Sequence, residues 1–170
     1  MRQILLETVG QAALDRALAT LPADAAREYS AVTALSWVPL TTLAAVIDAV
    51  AREVGREPEA FFDGIVRKTT ERSFTTLFRV LLHFTTDHAL ITRTPIIYAR
   101  TRNVGKLEAT IVAPGVARLR LTEWPSIAER NARSIAIGIE TVLTLSGRRN
   151  VRWTWSRSAD GANFELRWAK

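Results

Sequence analysis

The stretch NVRWTWSRSADGANFELRW, residues Asn150–Trp168, holds three of the five tryptophans of this 170-residue chain. Polar and apolar residues alternate along it on both sides of Ser158–Gly161, and a period of two is typical of strands with one buried face. The pattern therefore predicts two strands joined by a turn at Ser158–Gly161. Each strand has one apolar face: Val151, Trp153 and Trp155 on the first, and Phe164, Leu166 and Trp168 on the second.

The tryptophans of this hairpin have two possible roles. In the core they would pack against helices, each burying up to about 250 Å². On the surface they would form a stacking platform for bases or a planar ligand. Because Arg152, Thr154 and Arg167 lie on the opposite face, we expect that polar face to be solvated and the tryptophans to lie in the core.

A second hairpin is predicted earlier in the chain, in KLEATIVAPGVARLRLTEW, residues Lys106–Trp124. Pro114-Gly115 supplies its turn. Leu107, Ala109 and Ile111 share one face of its first strand, with polar residues between them.

A helix is predicted between the two hairpins. Ser126 followed three residues later by Glu129 matches a capping box, and Gly147 is typical of a helix end. Its predicted buried face has small residues that suit close packing on a sheet: Ala128, Ala132, Ile135, Ala136, Ile139, Val142 and Leu143.

The first half of the chain has helical periodicity instead. The predicted elements are a helix over residues 3–20, a short helix or turn over residues 23–32, a helix from Thr41 or Thr42 to Gly55, and the longest helix from Pro58 to about Phe84, before a turn at Thr85–Pro95. The fold class is therefore α+β, with N-terminal helices packed on a four-stranded antiparallel sheet in the order hairpin, helix, hairpin. We expect a single domain over residues 1–170, helical to about residue 92 and sheet plus helix from about residue 96.

The composition is ordinary for a globular domain, with 48% hydrophobic and 24% charged residues. The opening MRQILLETVGQAALD has too short an apolar run for a signal peptide or a membrane-spanning helix. These features predict a cytoplasmic protein without a membrane partner. With no cysteine in the chain, disulfides and thiolate chemistry are excluded.

The net charge of +6 raises the question of an anionic partner. The basic residues are scattered, and the densest groups, around Arg100, Arg118 and Arg148, form no continuous tail. This pattern favours a solvated basic surface over a nucleic-acid-binding module.

Several segments resemble the haem-NO-binding and 4-vinyl-reductase-like superfamily. They are SWVPL before a helix, GKLEATIVAPGVARLRLTEWP across the first hairpin, and FELRW near the end of the chain. In its order of elements the chain looks most like bacterial paralogues with no known catalytic activity. The resemblance implies a sensory or small-molecule-binding function, with a cavity between the long helix and the sheet.

The chain departs from the family pattern where family members bind a metal or cofactor. Members that bind zinc or a cofactor carry two cysteines in the terminal hairpin, at places held here by about Thr154 and Ala162. Haem-binding members carry a ligating histidine and a Tyr-x-Ser-x-Arg clamp, whereas this chain has YARTR, Tyr98–Arg102, with Arg100 in place of the serine. The sequence therefore predicts neither a cofactor nor a metal.

The sequence contains no common catalytic motif: no G-x-S-x-G, Walker lysine loop, G-x-G-x-x-G or H-E-x-x-H. His83 and His88 are five residues apart, which is not the i, i+4 spacing of a helical metal pair. Pairs such as Asp63 with Glu71, or Asp87 with His88, are of a kind that any chain of this length offers. We expect no enzymatic activity.

The candidate ligand-binding residues lie on the long helix, whose apolar face is interrupted by hydroxyl groups at helical spacing. Two interpretations are open. The hydroxyls bond back to the carbonyl one turn earlier, or they line a pocket that faces the sheet. The pocket would be lined by Phe62, Thr69, Ser73 and Thr76.

Two functions therefore remain open. One is a non-catalytic sensory domain that binds a small apolar or planar ligand. The other is a scaffold or protein-interaction domain with a solid interior and no ligand. A homodimer is expected because the first helix carries more apolar residues than one face needs, including Ile4, Leu5 and Leu6.

Overall fold

A computed structural model describes residues 1–33, 38–74 and 85–169. Over these residues the chain forms seven helices and a four-stranded antiparallel sheet, which confirms the α+β class. The helices are α1 (Arg2–Val9), α2 (Gln11–Ala19), α3 (Ala23–Ser30), α4 (Leu40–Glu53), α5 (Pro58–Ser73), α6 (Asp87–Thr101) and α7 (Glu129–Leu145). The strands are β1 (Lys106–Ala113), β2 (Val116–Thr122), β3 (Arg149–Ser158) and β4 (Gly161–Ala169). None of the described helices is long and apolar enough to cross a bilayer.

The chain divides into two compact units, Met1–Thr69 and Thr70–Lys170. The helices α1 to α4 and most of α5 belong to the first unit, and α6, α7 and the sheet belong to the second. The boundary falls well before the predicted change from helix to strand, because α6 packs on β1. That the whole chain is a single domain stays a prediction.

The first unit begins with two helices where the sequence predicts one. Gly10 separates α1 from α2 with φ of 80° and ψ of 163°, a backbone conformation that glycine alone adopts without strain. Ile4 and Leu5 are buried, and Leu6 packs against the same core. The apolar residues that motivate the homodimer prediction are therefore used within the unit.

The start of α4 also differs from the prediction. The helix begins at Leu40 after Pro39, and no side chain caps it. The hydroxyl of Thr42 instead donates to a carboxylate oxygen of Glu28, which ties α4 to α3.

The long helix α5 begins at Pro58 as predicted but ends at Ser73 rather than near Phe84. Its 16 residues are fewer than the 17 of α7, so it is not the longest helix. No apolar residue lies between Val66 and Phe74, so its last turns gain little from burial, which is the main support of a helix in a protein. The rest of the predicted helix, residues 75–84, lies outside the described residues.

The second unit contains both predicted hairpins in one sheet of order β1-β2-β4-β3. β1 pairs with β2 across Pro114-Gly115, and β3 pairs with β4 across the turn that ends at Gly161. β2 and β4 are antiparallel neighbours at the centre, where Leu119 lies opposite Phe164.

One face of this sheet is apolar and carries the tryptophans. Trp153 and Trp155 are half-buried and pack against the core of the unit. The indole Nε1 of Trp153 donates to a carboxylate oxygen of Glu140 on α7 at 2.9 Å. The core role predicted for the tryptophans is therefore confirmed. The buried residues of this face include Leu119, Leu121, Phe164, Leu166 and Trp168.

The segment predicted as a turn, Thr85–Pro95, forms most of α6 instead. The side chain of Thr86 caps the helix by accepting a hydrogen bond from the amide of Ala89. Pro95 lies inside the helix, where proline removes one backbone hydrogen bond. Burial of one helix face offsets that loss, through Leu90, Ile91 and Tyr98.

The predicted capping box of the next helix is not formed. α7 begins at Glu129, so the N-cap is Ala128 and no side chain caps the helix. Glu129 lies in the first turn, where a negative charge favours the helix dipole. Most of the predicted buried face is confirmed, with Ala132, Ile135, Ala136, Ile139 and Leu143 buried.

Two turn glycines bring the hairpins into close contact. A Cβ on Gly115, in the first hairpin, would lie 2.4 Å from the carbonyl oxygen of Trp168 in the second. A Cβ on Gly161, in the second hairpin, would lie 2.2 Å from the carbonyl oxygen of Leu121 in the first. The amide of Trp168 also donates to the carbonyl of Gly115 at 2.9 Å. Neither glycine has room for a side chain.

Trp153→Ala should destabilise the protein by about 3 kcal/mol, because it removes a half-buried indole and its hydrogen bond to Glu140. Trp153→Phe is the matched control. It keeps an aromatic ring on the core and loses only the N–H donor, so it should cost about 1 kcal/mol. Urea denaturation followed by circular dichroism measures both variants. An alanine variant as stable as the parent would show that the indole lies outside the core.

Gly161→Ala should cost about 3 kcal/mol or more, because the carbonyl of Leu121 belongs to the sheet backbone and cannot move aside cheaply. Gly64→Ala on α5 is the control, since nothing lies within 4 Å of the added carbon. That change should stabilise the protein by about 0.5 to 1 kcal/mol. Thermal melting gives the sign of each effect, and a Gly161 variant that melts with the parent would contradict the close approach.

Candidate functional site

The predicted ligand-binding residues of α5 are divided between the two units. Phe62 is buried in the core of the first unit, and Thr69 is the last residue of that unit. Ser73 is an exposed residue of the second unit. Thr76 lies outside the described residues. The pocket proposed for these four residues stays a prediction.

The hydroxyl of Thr69 makes the local bond that was the alternative to a pocket. It donates to the carbonyl of Ile65, one turn earlier, at 2.7 Å. Its oxygen also lies 3.4 Å from the sulfur of Met1. The hydroxyl group that interrupts the apolar face at this position therefore has its hydrogen-bond partner within the first unit.

Tyr98 and Arg102, the first and last residues of YARTR, are used inside the second unit. The hydroxyl of Tyr98 donates to the carbonyl of Val104 at 2.6 Å. The guanidinium of Arg102 donates to the hydroxyl of Ser134 on α7 at 2.8 Å. Burial raises the pKa of Tyr98, partly opposed by the charge of Arg102, and burial lowers the pKa of Arg102. These two side chains join α6 to its neighbours.

Asp87 is held in a buried ion pair rather than against a catalytic base. Its carboxylate accepts bonds from Arg148 at 2.8 and 2.6 Å and from the indole of Trp168 at 3.2 Å. The side chains of Asp87 and Arg148 are only 14% and 11% exposed. His88, its partner in the acid and base pair considered above, is exposed. The cluster links the start of α6, the end of α7 and β4.

The outer face of the sheet is concave, and the open hollow there has a volume of about 530 Å³. Residues of all four strands border it, including Trp155 and Phe164, whose side chains pack in the core on the other face. The side chains that point outward come from alternate positions of the strands. Strand pairing arranges these residues, which we call the open face, in three rows across the sheet. The first row is Glu108, Arg120, Asn163 and Ser156, the second is Thr110, Arg118, Glu165 and Thr154, and the third is Val116, Arg167 and Arg152.

Arginine outnumbers glutamate on the open face by four to two. Glu165 pairs with Arg167 at 2.7 Å and with Arg118 at 3.1 Å, and hydrogen bonds from these two groups lower its pKa. The side chains of Arg120 and Arg152 form no ion pair or hydrogen bond with any part of the chain that the structure describes. The open face therefore keeps uncompensated positive charge.

Sequence reasoning placed Arg152, Thr154 and Arg167 on a solvated face, and the structure agrees. The sequence does not predict the concave outer face, because that face forms only when β2 and β4 join the two hairpins. The signal that was present is the alternation of Arg118 and Arg120 with buried leucines along β2.

By sequence, the chain matches no protein-family model and no curated protein. Solved structures of H-NOX proteins do match it. A mutant H-NOX protein from K. algicida, in the Fe(II) unliganded state, is 7% identical with a TM-score of 0.70, over 99% of this chain and 94% of that chain. An H-NOX protein from S. oneidensis in the Fe(II)NO ligation state is 9% identical with a TM-score of 0.67, over 99% and 94%. An oxygen-binding H-NOX domain related to soluble guanylate cyclases is 12% identical with a TM-score of 0.64, over 99% and 90%.

The chain has the H-NOX fold. The match confirms the resemblance to the haem-NO-binding superfamily at the level of the fold. The closer likeness to bacterial paralogues stays a prediction.

Haem is the cofactor that the H-NOX fold implies, and the clamp residues of this chain do not fit it. A haem carboxylate needs O–H and N–H donors, but the only hydroxyl proton of Tyr98 goes to the carbonyl of Val104, and the guanidinium of Arg102 is directed to Ser134 through one of its N–H groups. Arg100, in the place of the family's serine, is exposed on α6. In this chain Tyr98 and Arg102 serve as packing and hydrogen-bonding residues of the second unit.

Tyr98→Phe should destabilise the protein by about 1 kcal/mol, because it removes the bond to the Val104 carbonyl. Tyr29→Phe is the matched control, since Tyr29 is the only other tyrosine of the chain. The hydroxyl of Tyr29 is buried and has no hydrogen-bond partner among the residues described, so its removal should be neutral or slightly stabilising. Thermal melting at neutral pH compares the two, and equal effects would contradict this assignment.

Alkaline pH gives a second measurement on Tyr29. Burial raises the pKa of its hydroxyl from 10.0 to about 12, with the charge of Arg2 acting in the opposite direction. The folded state then holds this proton more tightly than the unfolded state. The stability due to the neutral phenol is complete below pH 10 and falls by about 1.4 kcal/mol per pH unit between pH 10 and about pH 12. Tyr29→Phe should remove that part of the alkaline loss of stability.

Proposed function

We propose that this chain is a non-catalytic sensory domain that binds a small apolar or planar molecule. The H-NOX fold over nearly the whole chain is the observation that carries the proposal. The proteins that share it are described by the state of their iron: unliganded, bound to NO, or bound to oxygen. Binding of a small molecule is the function that these neighbours have in common.

The hydrogen bonds of Tyr98 and Arg102 within the chain support the proposal that the ligand binds without haem. The single hydroxyl proton of Tyr98 would have to leave the carbonyl of Val104 to reach a haem carboxylate, and such a bond contributes about 1 kcal/mol. Asp87 supports the non-catalytic part of the proposal, because its carboxylate is held by Arg148 and Trp168.

The proposed ligand contacts are Phe62, Thr69, Ser73 and Thr76. An aromatic ring with a few directed hydroxyl groups is typical of a site for an apolar or planar ligand. The bond from Thr69 to Ile65 uses the hydroxyl proton, and the oxygen keeps lone pairs with which it can accept a bond from a ligand.

The haem part of the proposal is tested by expressing the full chain with added haem and recording its absorption spectrum. We expect no Soret band from the purified protein, because the proton of Tyr98 is bonded to Val104 and an exposed Arg100 replaces the serine of the clamp. A stoichiometric Soret band that survives gel filtration would overturn haem-free binding.

The ligand part is tested by a thermal-shift screen of apolar and planar compounds. A ligand at about a hundred times its Kd should raise the melting temperature by about 5 to 10 °C, because it binds the native state alone. Thr69→Val with Ser73→Val should abolish the shift and leave the fold intact. The control is Thr92→Val on α6, whose hydroxyl makes the same bond to the carbonyl one turn earlier at 2.7 Å, and it should keep the shift. A screen without any shift would favour the scaffold function instead.

A further inference from the structure

The open face of the sheet is left uncovered by the elements that pack on the other side. α6 contacts β1, and α7 contacts β3 and β4, through the apolar core. On the open face, the side chains of Thr110, Arg118, Arg120 and Thr154 are exposed. This surface belongs to the second unit alone and does not include any residue of the proposed ligand site.

Positive charge is concentrated in the unit that carries this face. Residues 70–170 contain 16 Lys and Arg against 8 Asp and Glu, whereas residues 1–69 contain 7 against 9. The second unit therefore has a net charge of +8 and the first a net charge of −2, which together give the +6 of the whole chain. An acidic partner would be attracted to the second unit.

The third row of the open face places two cations directly opposite each other. Arg152 and Arg167 are paired across β3 and β4, and like charges in that position destabilise a sheet. Arg167 shares Glu165 with Arg118, while Arg152 and Arg120 have no acidic partner in the described chain. A bound carboxylate would relieve the repulsion and pair the free guanidinium groups.

The side chains between the arginines distinguish a peptide from a nucleic acid. No aromatic side chain lies in the three rows, so the face has no platform on which bases would stack. Glu108 and Glu165 interrupt the positive charge, so the face suits carboxylates spaced to meet the arginines better than a continuous phosphate backbone. Hydroxyl and amide groups fill the remaining polar positions, and they suit backbone groups of a peptide: Thr110, Thr154, Ser156 and Asn163.

The spacing of the arginines along β2 matches an extended chain. Arg118 and Arg120 are two residues apart on the same strand, which separates them by about 7 Å. Alternate side chains of an extended peptide have the same separation. We propose that the open face docks an extended acidic segment of a partner protein, with carboxylates at alternate positions.

The test uses a fluorescent peptide that alternates Glu and Ser, measured by anisotropy with the full chain at low salt. Binding should be absent for the same peptide with Gln in place of Glu. Arg120→Gln with Arg152→Gln should weaken binding about tenfold, as expected for the loss of two surface ion pairs. The matched control is Arg93→Gln with Arg100→Gln, which removes two exposed arginines from α6 in the same unit and should change binding less than about twofold.

A second variant keeps the test decisive if the first double variant fails to fold. Thr154→Glu adds a negative charge to the second row at an exposed position, and it should also weaken binding of the acidic peptide. Equal weakening by the two arginine pairs would assign binding to net charge and overturn the proposal. So would tighter binding of a single-stranded oligonucleotide, or no binding of the acidic peptide at millimolar concentration.

Discussion

Burial of a single sheet face under α6 and α7 imposes the order on which the rest of the second unit depends. Because side chains alternate along a strand, a slip of β4 by one residue against β2 would turn Glu165 inward and Phe164 outward. Each buried side chain of that size contributes about 1.5 to 3 kcal/mol, and each buried unpaired charge opposes folding by more. The buried face therefore fixes the register of the strands. The register in turn decides which side chains lie on the open face, and contacts on that face are not needed to place them there.

Local periodicity was enough to predict both hairpins, their turns and the inward position of Trp153 and Trp155, because all of these depend on neighbours in sequence. Prediction failed where tertiary burial overrides a local signal. The sequence predicts a turn that ends at Pro95, yet the helix α6 continues through that residue because one of its faces is buried. At Gly10 the first helix ends, although the flanking residues favour a continuous helix. The concave face could not be predicted from the sequence, for a different reason. It requires β2 to pair with β4, which are separated in sequence by α7 and β3, and no periodicity within either strand specifies that partner.

The polar groups of Tyr98 and Arg102 hold parts of the second unit together. Both side chains are near the end of α6, where a hydroxyl and a guanidinium find acceptors in the loop before β1 and on α7. Buried polar groups of this kind need partners, so once these bonds exist, a carboxylate of haem must compete with them. Asp87 is used in the same way, because its two carboxylate oxygens accept hydrogen bonds from Arg148 and Trp168. In both clusters polar chemistry contributes to holding α6 in place.

The close approach of Gly115 to Trp168 and of Gly161 to Leu121 bears on how such a chain can diverge. A structure that is 7% identical matches this chain nearly end to end, so the same fold is compatible with different residues at most positions. These two positions tolerate none, since the obstacle is a neighbouring backbone, and no choice of side chain elsewhere can make room for a β-carbon. The fold therefore leaves the choice of hydrophobic residue open and restricts the two turns to glycine, and a chain with another residue at either turn would need a different junction between its hairpins.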